Sequence, residues 1–451
     1  MKRIKFISVL FALAIVVSAC AAPTAPPAQT IIQTQVVPVV QTQVVKETQV
    51  TVQTQVVPAQ ATTVTLSGWA SSPAETALYL QLINQFMVAN PGIIVNYQPI
   101  TGDYAQTMLT NFSAGTVPDI FYVDISVFQV WANNGVLLPL DDLMAGTSTT
   151  KDMFVPSLLN AFTFDGKVMG IPKDFNTLGL FYNKDLFDAA KVAYPTDSWT
   201  WDDLKNAAKS LTNLTDAKNP VYGFCDPSDA GRFPVFVFQN GGQVMKPDFS
   251  DTELDAQPAI DAATFYTGFR ADKTGATPAD LGQGWQGTDF GMGQCAMVYE
   301  GGWLIPYMTQ TFPNVKYGVA RLPAGPAGKG NMIFTVSWSI SANTKYPDVA
   351  WKVVEYLTNE ASQTAVLQSG LALPSRASLQ KSDYFTNNPN SAAIFNGSFD
   401  NAVPFYWGPA GNDVNTEIGK ALDRVYLQNV AVADSMKEAA TAIRAAIAAL
   451  K

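Results

Sequence analysis

IPKDFNTLGLFYNKDL, residues Ile171–Leu186, is the stretch around which the chain is organised. A proline opens it, and a polar patch of Lys173, Asp174, Asn176 and Thr177 follows. Leu178, Leu180 and Tyr182 then alternate with Gly179 and Phe181 in a strand-like apolar run. Asn183-Lys184-Asp185 ends the run where a turn or helix start is expected. A strand this apolar is expected to be buried on both faces, as in the sheets of α/β domains. The polar residues before it would lie at the edge of that sheet, where a second lobe can meet the first. An ordinary buried strand with a polar start is the alternative.

The block resembles the lobe-crossing segment of the extracellular solute-binding proteins of ABC importers, in the sugar-binding class that includes maltose-binding protein. Pro172 to Tyr182, followed by Asn183-Lys184-Asp185, is similar to the family's first passage between lobes. On that resemblance Asn176 takes the place of a polar residue facing the ligand. Three further blocks carry the same resemblance. AGTVPDIFYVDISVFQVWANNGVLLPLDDL from Ala114 implies a cleft-facing Asp124 at a strand end, which could equally cap the next helix. FGMGQCAMVYEGGW, Phe290–Trp303, implies an indole, Trp303, that stacks on the ligand. VSWSISANTKYPDVAWKVVEYLTNEASQ and SGLALPSR imply a return crossing at Thr335–Ile340 and a third at Pro374-Ser375-Arg376. Together these blocks reach across nearly the whole chain from residue 62.

At 451 residues the chain is long enough for two or three domains. Hydrophobic residues make up 47% and charged ones 14%, so a large core leaves a surface rich in neutral polar groups. A net charge of −9 argues against nucleic acid as a partner. No histidine occurs, which removes Ser-His and Cys-His nucleophiles and the commonest zinc ligand. No cofactor or metal is expected. No run reaches the roughly 18–20 apolar residues of a spanning helix.

The N-terminus reads as a targeting segment, with Lys2, Arg3 and Lys5 ahead of a short apolar run from Phe6 to Val17. Val17-Ser18-Ala19-Cys20 resembles the bacterial lipobox, implying cleavage before Cys20 and its acylation; a simple secreted protein with a chance cysteine is the alternative. Residues 1–19 would then be the lipoprotein signal peptide. Residues 20–61 repeat QTQVV between prolines and carry almost no charge, and read as a low-complexity tether, with a self-associating or coiled-coil stalk as the alternative. Cys225 and Cys295 remain as candidates for a disulfide, with two separate buried thiols as the alternative.

Within the folded part, Val64–Trp69 reads as a strand and Ser72-Pro73-Ala74-Glu75 as a capping box opening a helix. Asn90-Pro91-Gly92 stops that helix and Ile93–Tyr97 is the next strand. Asp119 reads as structural. Thr200 and Asp203 form a second capping box, and Ser435 with Glu438 a third, for the last helix.

A neutral sugar offers hydroxyls and C–H faces, so its site needs aromatic faces with planar donors and acceptors such as Asp, Glu, Asn and Arg. The candidate substrate-binding residues are Trp69, Asp124, Asn176, Trp303, Trp338, Arg376, Tyr406 and Trp407. Trp285 lies in a Gly/Gln-rich loop that could also reach the cleft, and Glu75 is assigned only to its capping box. G-x-S-x-G is missing, and PAGPAGKG at Pro323–Gly330 has the wrong glycine spacing for a P-loop.

The resemblance thus implies an α/β, type II-like two-lobe periplasmic-binding-protein fold with three hinge crossings. Residues 62–175 plus 336–375 form the first lobe and 176–335 plus 376–451 the second. It implies a monomeric, non-enzymatic lipoprotein outside the cell membrane that delivers a mono- or oligosaccharide to ABC permease subunits. Another solute on the same fold (polyamine, glycerol phosphate or peptide) and a glycosidase are the alternatives.

Overall fold

The computed structural model describes residues 61–450. The basic leader, Cys20 and the QTQVV repeats lie outside the described residues.

The first sheet begins with β1 (Thr62–Trp69), whose alternate side chains Val64 and Leu66 are buried. Ser72 then caps helix α1 (Pro73–Ala89), with Pro73 at the first helical position, where its missing N–H costs nothing. Tyr79, Leu82, Ile83 and Phe86 recur at helical spacing and form the buried face of α1. Strand β2 (Ile93–Ile100), helix α2 (Tyr104–Ala114), strand β3 (Ile120–Asp124) and helix α3 (Ile125–Asn133) follow. Both β2 and β3 run parallel to β1, the arrangement that helical crossovers produce. After the small hairpin β4 (Thr163–Phe164) and β5 (Lys167–Val168) comes the quoted stretch.

That stretch is two strands, β6 (Ile171–Asn176) and β7 (Leu178–Asn183), separated by Thr177 alone. The two lie in different sheets. β6 pairs with β12 (Asn331–Ile340), which also pairs with β3 and with β13 (Ala402–Pro404). β7 instead lies between β11 (Tyr317–Ala320) and β10 (Met297–Gly301). β8 (Phe224–Cys225) and β9 (Gly275–Ala276) complete the second sheet, in the order β11-β7-β10-β8-β9. The first sheet has the order β13-β12-β3-β1-β2, with β6 beside β12.

Each sheet has its own apolar core. Around the first, Leu66, Tyr79, Phe121, Tyr122, Trp338 and Trp351 pack together. Around the second, Leu180, Phe224, Phe236, Tyr266 and Tyr299 do so, under the helices Gln257–Ala271, Gly411–Gln428 and Val432–Ala449. The result is a two-lobe α/β fold. Segment 371–376 runs beside β6, where Phe175 and Leu373 exchange both backbone hydrogen bonds, at 3.0 and 2.8 Å. Among the described residues no helix is long and apolar enough to cross a membrane.

Thr200 and Asp203 form the reciprocal box. Glu75 does not: its N–H reaches Ser72 Oγ, but its carboxylate turns to Ser71, Tyr122 and Lys173. Ser435 and Glu438, expected to cap the last helix, form no cap either. The last helix starts earlier, at Val432, so Ser435 lies inside it and donates to Ala421 O at 2.7 Å, while Glu438 faces Arg424 at 3.2 Å. Asp119 is structural, accepting from the Thr65 N–H and hydroxyl and from Thr344.

Cys225 and Cys295 are joined by a disulfide, with Cα atoms 5.8 Å apart. The bond ties β8 to the start of the segment leading into β10, where Tyr222 and Cys295 pair in parallel.

Candidate functional site

A cavity of about 310 Å³ lies between the two sheets, at the carboxyl ends of β1, β3 and β10, where open α/β sheets hold ligands. From the first lobe come Trp69, Ser71, Ser72, Glu75 and Asp124, and from the second Trp285 and Trp303. Lys173, Asp174 and Asn176 of β6, Phe334 and Val336 of β12, and Leu371 and Ala372 of the neighbouring segment form the wall between them.

Each aromatic is held by its own support. Trp69 ends β1 and rests edge-on against Tyr104 and Tyr122, at 5.4 and 4.9 Å between centroids. Trp303 follows Gly301-Gly302 at the end of β10. A Cβ on Gly301 would come within 2.4 Å of the Trp303 ring, so only glycine lets the indole fold back over the strand. Glu300, fully buried, anchors the indoles on this side. Its Oε2 accepts from Trp303 Nε1 and its Oε1 from Trp285 Nε1, both at 2.6 Å. Arg232 completes the group, 2.7 Å from Glu300 Oε2 and with its guanidinium 5.7 Å from the centre of the Trp303 ring. Burial raises the Glu300 carboxyl above its usual range, against the opposing pull of Arg232 and the two indoles.

The polar wall centres on Lys173. Pairing of β6 with β12 jumps from Val336–Asp174 to Ser337–Pro172, so Lys173 is the extra residue of a β-bulge. A bulge breaks the in–out alternation and re-aims the side chain. The ammonium therefore points inward, to Glu75 at 3.2 Å and to Asp174, with the rings of Tyr79 and Tyr122 within 4.7 and 4.8 Å. Burial alone would lower the Lys173 pKa, but Asp174, Tyr79 and Glu75 together hold it well above the usual value. Asp174 is raised by the same burial, partly offset by Lys173. Asp124 caps α3, its Oδ1 accepting from the Ser126 N–H and hydroxyl at 2.9 and 2.6 Å. Burial raises its pKa as well, and these two bonds lower it. Asp124 thus holds both roles that its position allowed, helix cap and cavity wall.

Trp69, Asp124, Asn176 and Trp303 come together here; the other four candidates do not. Asn176 lines the cavity, but both ends of its amide are engaged, Oδ1 by Gly302 N–H at 3.1 Å and Nδ2 by Leu371 O at 3.3 Å. Trp338 is fully buried against Tyr79 and Tyr122. It shares a strand face with Phe334 and Val336 but lies farther along β12, under the first-lobe core. Arg376 lies past the cavity wall, donating to Thr358 O at 2.6 Å and covering the Phe154 ring at 4.7 Å. Trp407 is in the second-lobe core with its N–H on Asn415 at 2.7 Å. Tyr406 meets Phe249 edge-on and lines a separate cavity with Trp407.

Sequence reading did not assign Lys173, Asp174, Glu300 or Arg232 to the site, and took Glu75 for a cap only. Trp285 was open, and it lines the cavity. Among the described residues no group of three or more His, Cys, Asp or Glu side chains is placed to hold a metal ion.

The chain matches the family model described as bacterial extracellular solute-binding protein over residues 70–364. A galactooligosaccharide-binding protein of Bacillus subtilis is 24% identical over 69% of this chain and 73% of its own. A maltodextrin-binding protein of the same organism is 26% identical over 62% of this chain and 66% of its own. Among solved structures, an ABC substrate-binding protein from Listeria monocytogenes, in complex with cycloalternan, superposes with a TM-score of 0.77 at 27% identity. That match covers 85% of this chain and 98% of the other. An ABC transporter solute-binding protein from Thermotoga lettingae gives the same TM-score at 24% identity, over 86% of this chain and 100% of its own, and attests the fold. By family match and fold together, the chain belongs to the bacterial extracellular solute-binding proteins, family 1 of the solute-binding proteins of ABC importers.

Proposed function

We propose that this protein is the lipid-anchored binding component of an ABC importer, capturing a mono- or oligosaccharide in the interlobe cavity and delivering it to a permease. One observation carries the reading. Three indoles, Trp69, Trp285 and Trp303, face one cavity together with the carboxylates of Glu75, Asp124 and Asp174. Indole faces match the C–H faces of a sugar ring, and carboxylates accept from its hydroxyls. The saccharide ligands named for relatives support the same class.

In this reading residues 62–175 with 336–375 move as one lobe and 176–335 with 376–451 as the other. The three passages near Thr177, Thr335 and Pro374 flex so that the lobes close on the solute. The protein catalyses no reaction, acts as a monomer and works outside the membrane, held there through Cys20 at the end of the 20–61 tether.

A cationic solute such as a polyamine is the second reading, favoured by three carboxylates in the cavity. Lys173 already faces two of them, which leaves Asp124 as the acid without a cation partner. A thermal-shift screen of saccharides and polyamines separates the two, since a bound solute raises stability by RT ln(1 + [L]/Kd). Stabilisation by saccharides alone is expected. Stabilisation by polyamines alone would overturn the sugar reading.

A further inference from the structure

We infer that the ligand is a saccharide of at least two units, and that Trp303 and Phe334 form the step between an inner and an outer compartment. The inference rests on the sugar-binding reading and adds to it the length of the ligand. Trp303 and Phe334 wall two cavities. The inner one is the cavity of about 310 Å³ described above. The second, about 580 Å³, opens beyond the same two rings and is built from other elements. Asp229 and Arg232 come from the turn after β8, Asn415, Thr416 and Lys420 from the helix Gly411–Gln428, and Phe405 from the segment after β13.

The aromatic surface runs unbroken from one compartment to the other. Phe334 meets Trp303 edge-on at 5.6 Å and Phe405 at 5.2 Å. Trp303 is fixed as the shared wall by its bond to Glu300 and by the guanidinium of Arg232 over its ring. The inner compartment alone is at the small end of the roughly 300–1,000 Å³ typical of ligand pockets.

Charge in the outer compartment disfavours an anionic unit. Arg232 is paired with Glu300 at 2.7 Å and has Asp229 at 3.8 Å, and Lys420 is paired with Glu417 at 2.7 Å. No cation is left over for an anionic group, while amide, hydroxyl and carboxylate groups remain for sugar hydroxyls. A single hexose would occupy the inner compartment and leave the Phe334–Phe405 surface wet. A second unit covers it, and burying apolar surface favours the longer ligand.

The test presents the purified protein with a mixture of monosaccharides and their oligomers from digested starch, galactan, mannan and arabinan. Retained sugars are identified by mass spectrometry after washing. Disaccharides or longer oligomers should be retained in preference to their monomers. Thr416→Trp, at an exposed helix position, fills the outer compartment and should weaken the retained oligomer roughly tenfold, or about 1.4 kcal/mol. The corresponding monomer should bind wild type and variant alike. Thr416→Ala, which loses the hydroxyl but adds no bulk, should weaken the oligomer less than Thr416→Trp does. Equal or better retention of monomers overturns the inference, as does unchanged oligomer affinity in a folded Thr416→Trp protein. If that variant misfolds, the retention profile of the wild type decides. Retention of no saccharide of any length overturns the sugar reading itself, and is distinct from retention of monomers only.

Discussion

Trp303 donates its indole N–H to Glu300 Oε2 at 2.6 Å, back across the two glycines that separate them. The indole is thus held by its polar edge, which leaves ring surface for the cavity. Trp303→Ala should weaken sugar binding by roughly 1–3 kcal/mol, the scale of a lost aromatic hot spot, with the melting transition retained. Calorimetric titration beside a thermal melt checks it. Loss of the folded state would make Trp303 a core residue, and unchanged affinity a bystander.

Lys173 faces Glu75 and Asp174 in an almost dry setting. Lys173→Met leaves both carboxylates buried without their cation and should cost about 3–5 kcal/mol in stability, as removal of one partner from a buried ion group does. Neutralising all three in Lys173→Met/Glu75→Gln/Asp174→Asn should recover a large part of that loss. Denaturant melts of the two variants decide it, and a single variant as stable as wild type would refute the ion-group account.

Asp226 is fully buried beside Cys225, and burial pushes its carboxyl up to about 8, although Tyr426 donates to it at 2.6 Å. In the unfolded chain the same group titrates at about 3.9. The folded state therefore keeps a proton that the unfolded state has lost. This contribution is fully present below about pH 4 and falls by about 1.4 kcal/mol per pH unit as pH rises toward 8. Asp226→Asn should flatten that part of the stability–pH profile. An unchanged slope in the variant would remove Asp226 as its source.

The disulfide between Cys225 and Cys295 closes a loop of 70 residues. The chain-entropy estimate for such a loop is about 4 kcal/mol. Reduction in denaturant followed by refolding should lower stability by about that amount, and the oxidised protein should show no free thiol at these positions. Two reactive thiols in the untreated protein would contradict the bridge.

Cys20→Ser should leave a protein that no longer partitions with membranes. Mature wild-type protein recovered freely soluble and without lipid would refute anchoring through this residue.

The crossing at Thr177 was legible because an alternating apolar run begins directly after a polar patch; an ordinary buried strand with a polar start fits that pattern too, and the resemblance of this and three further blocks to the solute-binding family favoured the crossing. Trp69, Asp124 and Trp303 were legible because each follows a strand, and strand ends meet the cleft. Trp338 and Arg376 were not, since a strand's pattern tells which face a side chain takes but not how deep along the sheet it lies. The run Phe405-Tyr406-Trp407 failed for a related reason: only Phe405 turns toward the ligand side, while its neighbours turn away from it. Lys173 was hidden by its bulge, which suspends the two-residue alternation at the one place where it would have mattered. Glu300 reads as one more residue of an apolar strand until Arg232 and the two indoles, far apart in the chain, are brought to it.

The place of β12 in the first sheet bears on how the chain is made. This strand lies between β3 and β6 and also pairs with β13. Everything up to Asn176 can be synthesised while the strand that joins β3 to β6 does not yet exist. The first lobe is therefore unable to finish folding until residue 340 has left the ribosome, long after its own opening segment. A chain with this order keeps its first sheet incomplete through most of its synthesis, and the edges of β3 and β6 stay open until β12 arrives between them.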